Sequence, residues 1–195
     1  MTFQPDESQL KALTTWYSKD NPLHLDSRHP CIKLAGEAGE LLDLYGKEEY
    51  KPGFSWWDCA KCNTFKKAHD EGYQACKGEY IPKVLDELGD YSYYLRILTY
   101  QKEVSFIGLW DKLALNAEDN LDFILARLNN KSAGIYMGYL IEEYIFENDL
   151  KTAIFWFKAI LHKLDCSLEN LLELNYRKLN SEETNHGWKY ATIKR

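Results

Sequence analysis

The sequence predicts an all-α protein, a helical bundle, on three observations. Leucines at helical spacing form one apolar stripe over residues 34–44, and Val84 with four leucines forms a second over residues 84–98. A hydrophobic content of 45% with 14% aromatics excludes a disordered chain. At 195 residues the chain is long enough to bury a core in one or two small domains.

The first helix and the loop after it are predicted from capping and turn signals. Asp6 or Ser8 is expected to cap a first helix, which Asn21-Pro22 ends. Residues 22–30 are then expected to form a loop. The later helices are predicted over about residues 31–46, about 82–102 with Pro82 in the first turn, and from Ser167 as cap to about residue 180.

Charge and cysteine content exclude several classes of protein. A net charge of −6 argues against nonspecific nucleic-acid binding, which needs a basic surface. No run approaches the roughly 20 apolar residues of a membrane span, and an N-terminus with Asp6 and Glu7 does not resemble a signal peptide. Five cysteines without a secretion signal predict reduced thiols in the cytoplasm. We therefore expect no nucleic-acid or membrane partner, and the choice between monomer and homodimer stays open.

Two pairs of acids dominate the predicted second and third helices. Glu37 and Glu40 are three residues apart, as are Glu87 and Asp90, so each pair lies on one helix face. If the neighbouring apolar stripes pack together, the four carboxylates converge. Like charges at close range cost stability, and a hard divalent cation such as Mg²⁺ removes that cost. The alternative is that each pair is an ordinary solvated helix face.

Three glycines stand beside these acids in strongly helical sequence. Gly36, Gly39 and Gly89 each cost about 1 kcal/mol relative to alanine in a helix. Their presence favours a metal site over two solvated faces, because it indicates close helix approach or room for a ligand.

These segments resemble the all-α nucleoside triphosphate pyrophosphohydrolases, which include the MazG-like, dCTP pyrophosphatase, dimeric dUTPase and phosphoribosyl-ATP pyrophosphohydrolase families. The stretches KLAGEAGELLDLYGK and VLDELGDYSYYL are similar to the MazG-like second and third helices. The stretch LHKLDCSLENLLELNYRKL resembles the last helix. The resemblance covers residues 30–46, 83–98 and 150–180 and implies a bundle of MazG-like type.

The resemblance also implies an activity, nucleotide-pool housecleaning. It implies Mg²⁺-dependent hydrolysis of a (deoxy)nucleoside triphosphate to the monophosphate and pyrophosphate, with Mn²⁺ as an alternative ion. Glu37, Glu40, Glu87 and Asp90 would hold the metal, and Glu37 or Glu40 would orient or deprotonate the attacking water. No G-x-x-x-x-G-K-[ST] loop is present, which counts against a P-loop NTPase.

Substrate-binding residues follow from the same resemblance, each with a structural alternative. Asn175 and Lys178 match the family's Asn-x-x-Lys, which reaches sugar or phosphate; otherwise they belong to a surface helix terminus. Tyr94 would lie near the nucleotide or be a core tyrosine. Arg28 would contact phosphate or base, or be a solvated loop residue. Trp56 and Trp57 would frame the base or anchor the inserted segment to the core.

An inserted segment, residues 47–82, separates the second and third helices. It contains Cys59-x-x-Cys62, which can place two thiolates on one Zn²⁺, with His69 and Cys76 as the further ligands. The alternative is a set of thiols in a helical insert. A thioredoxin-like role is disfavoured because no βαβ pattern surrounds the pair.

The second half of the chain resembles the first under a constant shift that places Tyr93-Tyr94-Leu95 on Phe155-Trp156-Phe157, which we call the repeat alignment. Under this alignment Glu87 falls on Asp149 and Asp90 falls on Thr152. We interpret the chain as one all-α domain, residues 1–195, built as a degenerate tandem repeat of a four-helix unit. Residues 1–102 would be the active half and 103–195 the degenerate half, unless amphipathic helices match by chance.

Two other functions stay open. One is a non-catalytic helical binding module, with or without a stabilising zinc ion, that keeps the acids as structural or weak metal sites. The other lies within the resembled superfamily, as a dUTP-specific or phosphoribosyl-ATP-specific enzyme. The preferred base and sugar do not follow from the sequence.

Overall fold

The computed structural model describes residues 3–16, 27–66, 70, 80–115, 119–142 and 144–180. Regular secondary structure in these residues is helical, apart from one isolated β-bridge between Cys59 and Pro82. The predicted all-α class is therefore confirmed. The described helices are α1 (Glu7–Trp16), α2 (Arg28–Tyr50), α3 (Lys83–Gln101), α4 (Phe106–Lys112), α5 (Leu121–Glu142), α6 (Glu147–Lys163) and α7 (Leu168–Asn180).

The packing places α3 at the centre of the bundle, where it contacts α1, α2, α4, α6 and α7. Helix α2 packs against both α3 and α5, α5 packs against α6, and α1 and α7 both pack against α3. The two stripes predicted from the sequence, over residues 34–44 and 84–98, supply much of the core. The fully buried side chains of the two stripes include Leu34, Leu41, Leu88, Leu95 and Leu98. Helices α5 and α6 add the fully buried Ile124, Leu125, Leu128 and Phe157.

Two predicted helix boundaries are wrong by several residues. Helix α2 begins at Arg28, not near residue 31, so the predicted loop 22–30 is too long at its C-terminal end. Pro30 is tolerated in this first turn, where its missing N–H has no intrahelical partner. Helix α2 also continues to Tyr50, inside the predicted insert. Pro82 precedes α3 as its N-cap, with an extended backbone (ψ 142°), and does not lie in the first turn.

Asp6 caps α1, which settles the choice between Asp6 and Ser8. Its Oδ1 accepts from the Gln9 N–H at 3.0 Å, and the Asp6 N–H donates to Gln9 Oε1 at 3.0 Å, as in a capping box. Its Oδ2 accepts from the Ile107 N–H and the Ser105 hydroxyl, both at 2.9 Å, at the start of α4. One carboxylate therefore joins two helix N-termini.

The turns after α3 and after α6 have the same geometry and correspond in the repeat alignment. After α3, Glu103 adopts φ +56° and the Val104 N–H donates to the Thr99 carbonyl at 3.0 Å. After α6, Asp165 adopts φ +50° and the Cys166 N–H donates to the Leu161 carbonyl at 2.9 Å. Both are Schellman turns with a non-glycine residue in the left-handed region.

The caps that follow these turns also correspond. The Ser105 hydroxyl accepts from the Gly108 N–H at 2.9 Å, and the Ser167 hydroxyl accepts from the Asn170 N–H at 3.2 Å. The predicted cap at Ser167 is thus confirmed. Among the helices that the structure describes, none combines the length and the apolar composition needed to cross a bilayer.

Candidate metal and phosphate site

The structure brings three of the four predicted acids together where α2 packs against α3. One carboxylate oxygen from each of Glu37, Glu40 and Glu87 lies within 4.8 Å of the others. The i, i+3 spacing on α2 puts Glu37 and Glu40 on the side that faces α3, because the Leu34 and Leu41 stripe turns that side inward. Glu37 is buried, with 6% of its surface exposed, Glu87 is half-buried and Glu40 is exposed.

Burial and mutual repulsion disfavour the charged forms of this cluster. Burial, followed by Asp90 and Glu40, raises the pKa of Glu37 to about 7, although Lys33 at 3.9 Å opposes the shift. Burial, followed by Glu40 and Glu37, raises the pKa of Glu87 to about 8. The interaction of Glu37 with the Glu87 side chain acts the other way and lowers the pKa of Glu37, but it is the smallest of these effects. The cluster is therefore short of positive charge.

Asp90 faces a lysine instead of joining the three-acid cluster. Lys178 Nζ on α7 lies 2.8 Å from Asp90 Oδ2 and 2.6 Å from Asp86 Oδ1. Burial raises the pKa of Asp90, against the opposing effect of Lys178 and Asn175. Burial by itself would lower the pKa of Lys178, but Asp90 and Asp86 raise it, so this side chain is an ammonium.

Asp86 is a member of this site that the sequence prediction missed. It lies four residues before Asp90, so the two carboxylates share a face of α3 and can both reach Lys178. The signal was present in the sequence, since the predicted family pattern used Glu87-x-x-Asp90 and left the adjacent acid unassigned.

A buried chain of hydrogen bonds holds Asp90 from behind. Asn175 Nδ2 donates to Asp90 Oδ1 at 3.1 Å, and Asn175 Oδ1 accepts from Arg96 at 3.3 Å. The guanidinium also donates to the carbonyls of Ser8 at 2.9 Å and Ser92 at 3.1 Å. Burial lowers the pKa of Arg96 to about 10, which still leaves it charged at neutral pH.

Asn175 therefore has a supporting position, not the substrate-facing one that the resemblance implied. It is 2% exposed and its amide is already shared between Asp90 and Arg96. Arg96 was also missed by the sequence prediction. An arginine inside the buried run Tyr91–Thr99 was the available signal, because a buried charge needs polar partners.

Close helix approach explains one of the three glycines. A Cβ on Gly89 would lie 3.0 Å from Asn175 Nδ2, so a side chain at residue 89 would crowd Asn175 where α3 and α7 come together. A Cβ on Gly39 would come no nearer than 4.0 Å to Asn129, and one on Gly36 would meet nothing within 4 Å. Gly36 thus borders open space beside Glu37.

Tyr94 is a core residue beside the acids. It is 5% exposed, and its ring packs edge-on against Tyr93 at 5.2 Å and His29 at 6.3 Å. Burial, with Glu37 and Asp90 nearby, raises the pKa of Tyr94, so its hydroxyl stays protonated and can donate a hydrogen bond. Arg28 is exposed in the first turn of α2, more than two helical turns before Glu37, or about 13 Å along the helix axis.

The two tryptophans of the insert have different environments. Trp56 is 5% exposed, its ring lies 5.7 Å from that of Tyr45, and its backbone N–H donates to the Glu48 carboxylate at 2.7 Å. It anchors the insert to the core and has no face open to stack a base. Trp57 is 39% exposed, and its carbonyl accepts a hydrogen bond from the Tyr80 hydroxyl.

Two of the four predicted zinc ligands, Cys59 and Cys62, are among the described residues, and they lie in a turn and not in a helix. Cys59 is buried, its N–H donates to the Thr64 carbonyl at 2.8 Å, and Asn63 adopts φ +57°. The Cys62 sulfur lies 2.9 Å from the Thr64 hydroxyl. His69 and Cys76 lie outside the described residues, so the four-ligand set stays a prediction.

Comparison with known proteins adds no assignment. No protein-family model, no curated protein and no solved structure matches the chain.

Proposed function

We propose that the chain is a Mg²⁺-dependent nucleoside triphosphate pyrophosphohydrolase of the all-α, MazG-like kind. The observation that carries this proposal is the meeting of Glu37, Glu40 and Glu87 across α2 and α3, beside a lysine. The substrate would be a (deoxy)nucleoside triphosphate, and the products the monophosphate and pyrophosphate. The resemblance of residues 30–46, 83–98 and 150–180 supports the same reaction.

The residues present fit a hard divalent cation. The donors are three carboxylates on two rigid helices, and oxygen ligands are those that Mg²⁺ and Mn²⁺ prefer. Without a cation, Glu37 and Glu87 are held at raised pKa values by burial and repulsion. A cation removes this cost, and when bound it neutralises phosphate charge and lowers the pKa of water.

The chain's own residues have separable tasks in this reaction. Either Glu37 or Glu40 would orient the attacking water or take its proton. Lys178 supplies a charge for phosphate oxygens, and to do so it must exchange its contact with Asp86 or Asp90 for one with the substrate. Asn175 is a positioning residue, which holds Asp90. Open space at Gly36 leaves room beside Glu37.

We further propose that the second half is the degenerate member of a tandem repeat. The support is the pair of matching turns and serine caps after α3 and after α6, which the repeat alignment places on each other. Helix α6 then takes the place of α3 but carries Asp149 and Thr152 where α3 carries Glu87 and Asp90. Among the described residues of this half, no group of acids is placed to hold a metal, and the half completes the bundle through α5, which packs on α2.

The direct test is pyrophosphate release with Mg²⁺ over a panel of nucleoside triphosphates that includes dUTP, dCTP and phosphoribosyl-ATP. We expect turnover that EDTA abolishes. Glu40→Gln and Asp90→Asn should each reduce it at least about tenfold, since even partners of metal ligands are worth about 10–100-fold. Asp43→Asn is the matched control, because Asp43 is an exposed acid of α2 that pairs with Lys47.

Other outcomes of this assay separate the alternatives. Absence of turnover with every nucleotide, with Mg²⁺ still bound, would favour the non-catalytic binding module. Preference for dUTP or phosphoribosyl-ATP would identify the specialised enzymes of the same superfamily. Full activity in both Glu40→Gln and Asp90→Asn would refute the site.

A further inference from the structure

A cavity of about 420 Å³ lies between α5 and α6, and none of its lining residues belongs to the acid cluster. Its volume falls within the roughly 300–1,000 Å³ of small-molecule sites. Two cations, two uncharged polar side chains, one aromatic ring and a glycine line it: Arg127, Lys131, Asn130, Thr152, Trp156 and Gly134. A Cβ on Gly134 would meet nothing within 4 Å, so this wall is open.

The cavity is positive on a chain whose net charge is −6. Lys131 Nζ lies 2.8 Å from Asp149 Oδ1, which accounts for one of the two cations. The Arg127 guanidinium lies 4.8 Å from the centre of the Phe123 ring, and no salt bridge within the described part of the chain involves it. Two cations against one carboxylate leave an excess of one positive charge, which favours an anionic ligand.

The aromatic wall of the cavity is held in place. The Trp156 ring packs edge-on against Phe155 at 4.8 Å and against Phe123 at 6.0 Å. A fixed indole beside arginine suits a ligand with both a flat ring and a negative charge, because every base has a face that stacks on an aromatic side chain.

The cavity occupies the place on α6 that the acid site occupies on α3. The repeat alignment puts Thr152 and Trp156 on Asp90 and Tyr94. Where the first site presents carboxylates, this one presents a hydroxyl and two cations. A phosphate that needs a metal in the first site can therefore be met directly by side chains in the second.

We propose that this cavity binds a nucleoside phosphate without a divalent cation, with its phosphate on Arg127 and Lys131 and its base against Trp156. The Asn130 amide supplies a further donor at the phosphate end. This inference does not depend on the proposed pyrophosphohydrolase activity, since it concerns other residues and needs no turnover.

The test is calorimetric titration of the full chain in EDTA with adenosine monophosphate, deoxycytidine monophosphate and inorganic pyrophosphate. We expect both nucleotides to bind, with an affinity that falls as salt is added. Arg127→Gln with Lys131→Met should weaken binding at least about tenfold. The matched control is Arg177→Gln with Lys151→Met, which removes the same charge from surface pairs with Glu173 and Glu147 and should leave binding within about twofold.

The variant Trp156→Leu separates the contribution of the base to binding from that of the charged phosphate. It should weaken nucleotide binding and leave pyrophosphate binding unchanged, and a thermal melt of each variant checks that it folds. The proposal is overturned if none of the three probes binds in EDTA or if the cavity double variant binds as the wild type does. Equal binding of pyrophosphate and nucleotides, unaffected by Trp156→Leu, overturns the assignment of a nucleoside ligand.

Discussion

At the scale of single residues, the molecule concentrates unfavourable charge at one place. Burial, followed by repulsion from the neighbouring carboxylates, holds the pKa of Glu37 at about 7 and that of Glu87 at about 8, far above the ordinary value of 4.5. A group whose pKa is raised by folding stabilises the fold only while it is protonated. The acid site therefore costs stability at neutral and alkaline pH unless a cation is bound.

The first prediction concerns this pH dependence. In EDTA, the stabilisation from protonated Glu87 is complete below its ordinary pKa of 4.5 and is lost as pH rises through about 8. The melting temperature should thus fall between about pH 4.5 and about pH 8, where the unfolded chain has lost the Glu87 proton and the folded protein keeps it. Glu87→Gln should flatten this fall and raise the melting temperature at the alkaline end by about 2–4 °C, the shift that about 1 kcal/mol produces in a chain of this size.

Asp43→Asn is the control for this measurement, because Asp43 is an exposed acid on the same helix bundle. It should keep the wild-type slope of melting temperature against pH. A wild type whose melting temperature fell no more steeply than that of Glu87→Gln would show that the carboxyl is not protonated in the folded, metal-free protein.

At the scale of helices, the site depends on how closely α7 approaches α3. Gly89 permits this approach, and Asn175 on α7 then reaches Asp90. The approach also brings Lys178 between Asp86 and Asp90. Three contacts at the site thus depend on one missing side chain.

The second prediction tests that packing. Gly89→Ala should destabilise the protein by about 1–3 kcal/mol, because a methyl group 3.0 Å from Asn175 overpacks the interface. Urea unfolding measures the change. In Gly89→Ala with Asn175→Ala the loss should be smaller than the sum of the two single losses, since the nearest atom is removed.

Gly36→Ala is the matched control, and its expected effect on stability is opposite to that of Gly89→Ala. Its Cβ would meet nothing within 4 Å, so alanine should stabilise α2 by up to about 1 kcal/mol through helix propensity alone. Equal effects of the two substitutions would contradict the close approach at Gly89.

The third prediction concerns the double cap at Asp6. Burial by itself would raise the pKa of Asp6, but hydrogen bonds from Ser8, Ile107, Gln9 and Ser105 lower it below the ordinary 3.8. The stabilisation is therefore present above that value and lost as pH falls through the lowered pKa. Asp6→Ala should cost about 2 kcal/mol at neutral pH, because the cap of α1 and the hydrogen bonds from the start of α4 are lost at once.

Glu7→Ala is the control for the cap. It removes the same charge from the same turn, but Glu7 is exposed and pairs only with Lys11 in the described residues. It should change the free energy of unfolding by less than about 0.5 kcal/mol. A similar loss in both variants would mean that the helix dipole, not the hydrogen bonds of Asp6, accounts for the effect.

At the scale of the whole molecule, the acid site exists only when the bundle is folded. Glu37 and Glu40 come from α2, and Glu87 comes from α3 after the inserted segment. The core that holds these helices together also includes α5 and α6, of which α5 packs on both α2 and α6. A ligand of the site must therefore stabilise the entire fold.

The fourth prediction follows from this linkage. Mg²⁺ at about a hundred times its dissociation constant should add about 2.7 kcal/mol to the free energy of unfolding. The gain in melting temperature should be larger at about pH 8 than at about pH 6, because the carboxylates must lose protons to bind. Glu40→Gln should lose most of the gain and Asp43→Asn should keep it, while an equal gain in both would place the cation elsewhere.

The helices themselves were predictable because their evidence is local. The apolar stripes of α2 and α3, a cap at either Asp6 or Ser8 and the cap at Ser167 follow from residue spacing within a few turns. Boundaries were less predictable, since the start of α2 at Arg28 includes a proline, which can either end a helix or occupy its first turn.

By itself, the sequence determined the helical class and the two acid pairs, because spacing along one chain specifies a helix face, and it indicated the repeat alignment of the two halves. Only the tertiary structure decided which charges meet. It turned Asp90 towards Lys178, placed Trp56 in the core and brought Arg96 behind Asn175. The physical reason is that these contacts join residues far apart in the chain, and packing between helices, which no local pattern encodes, sets their distances.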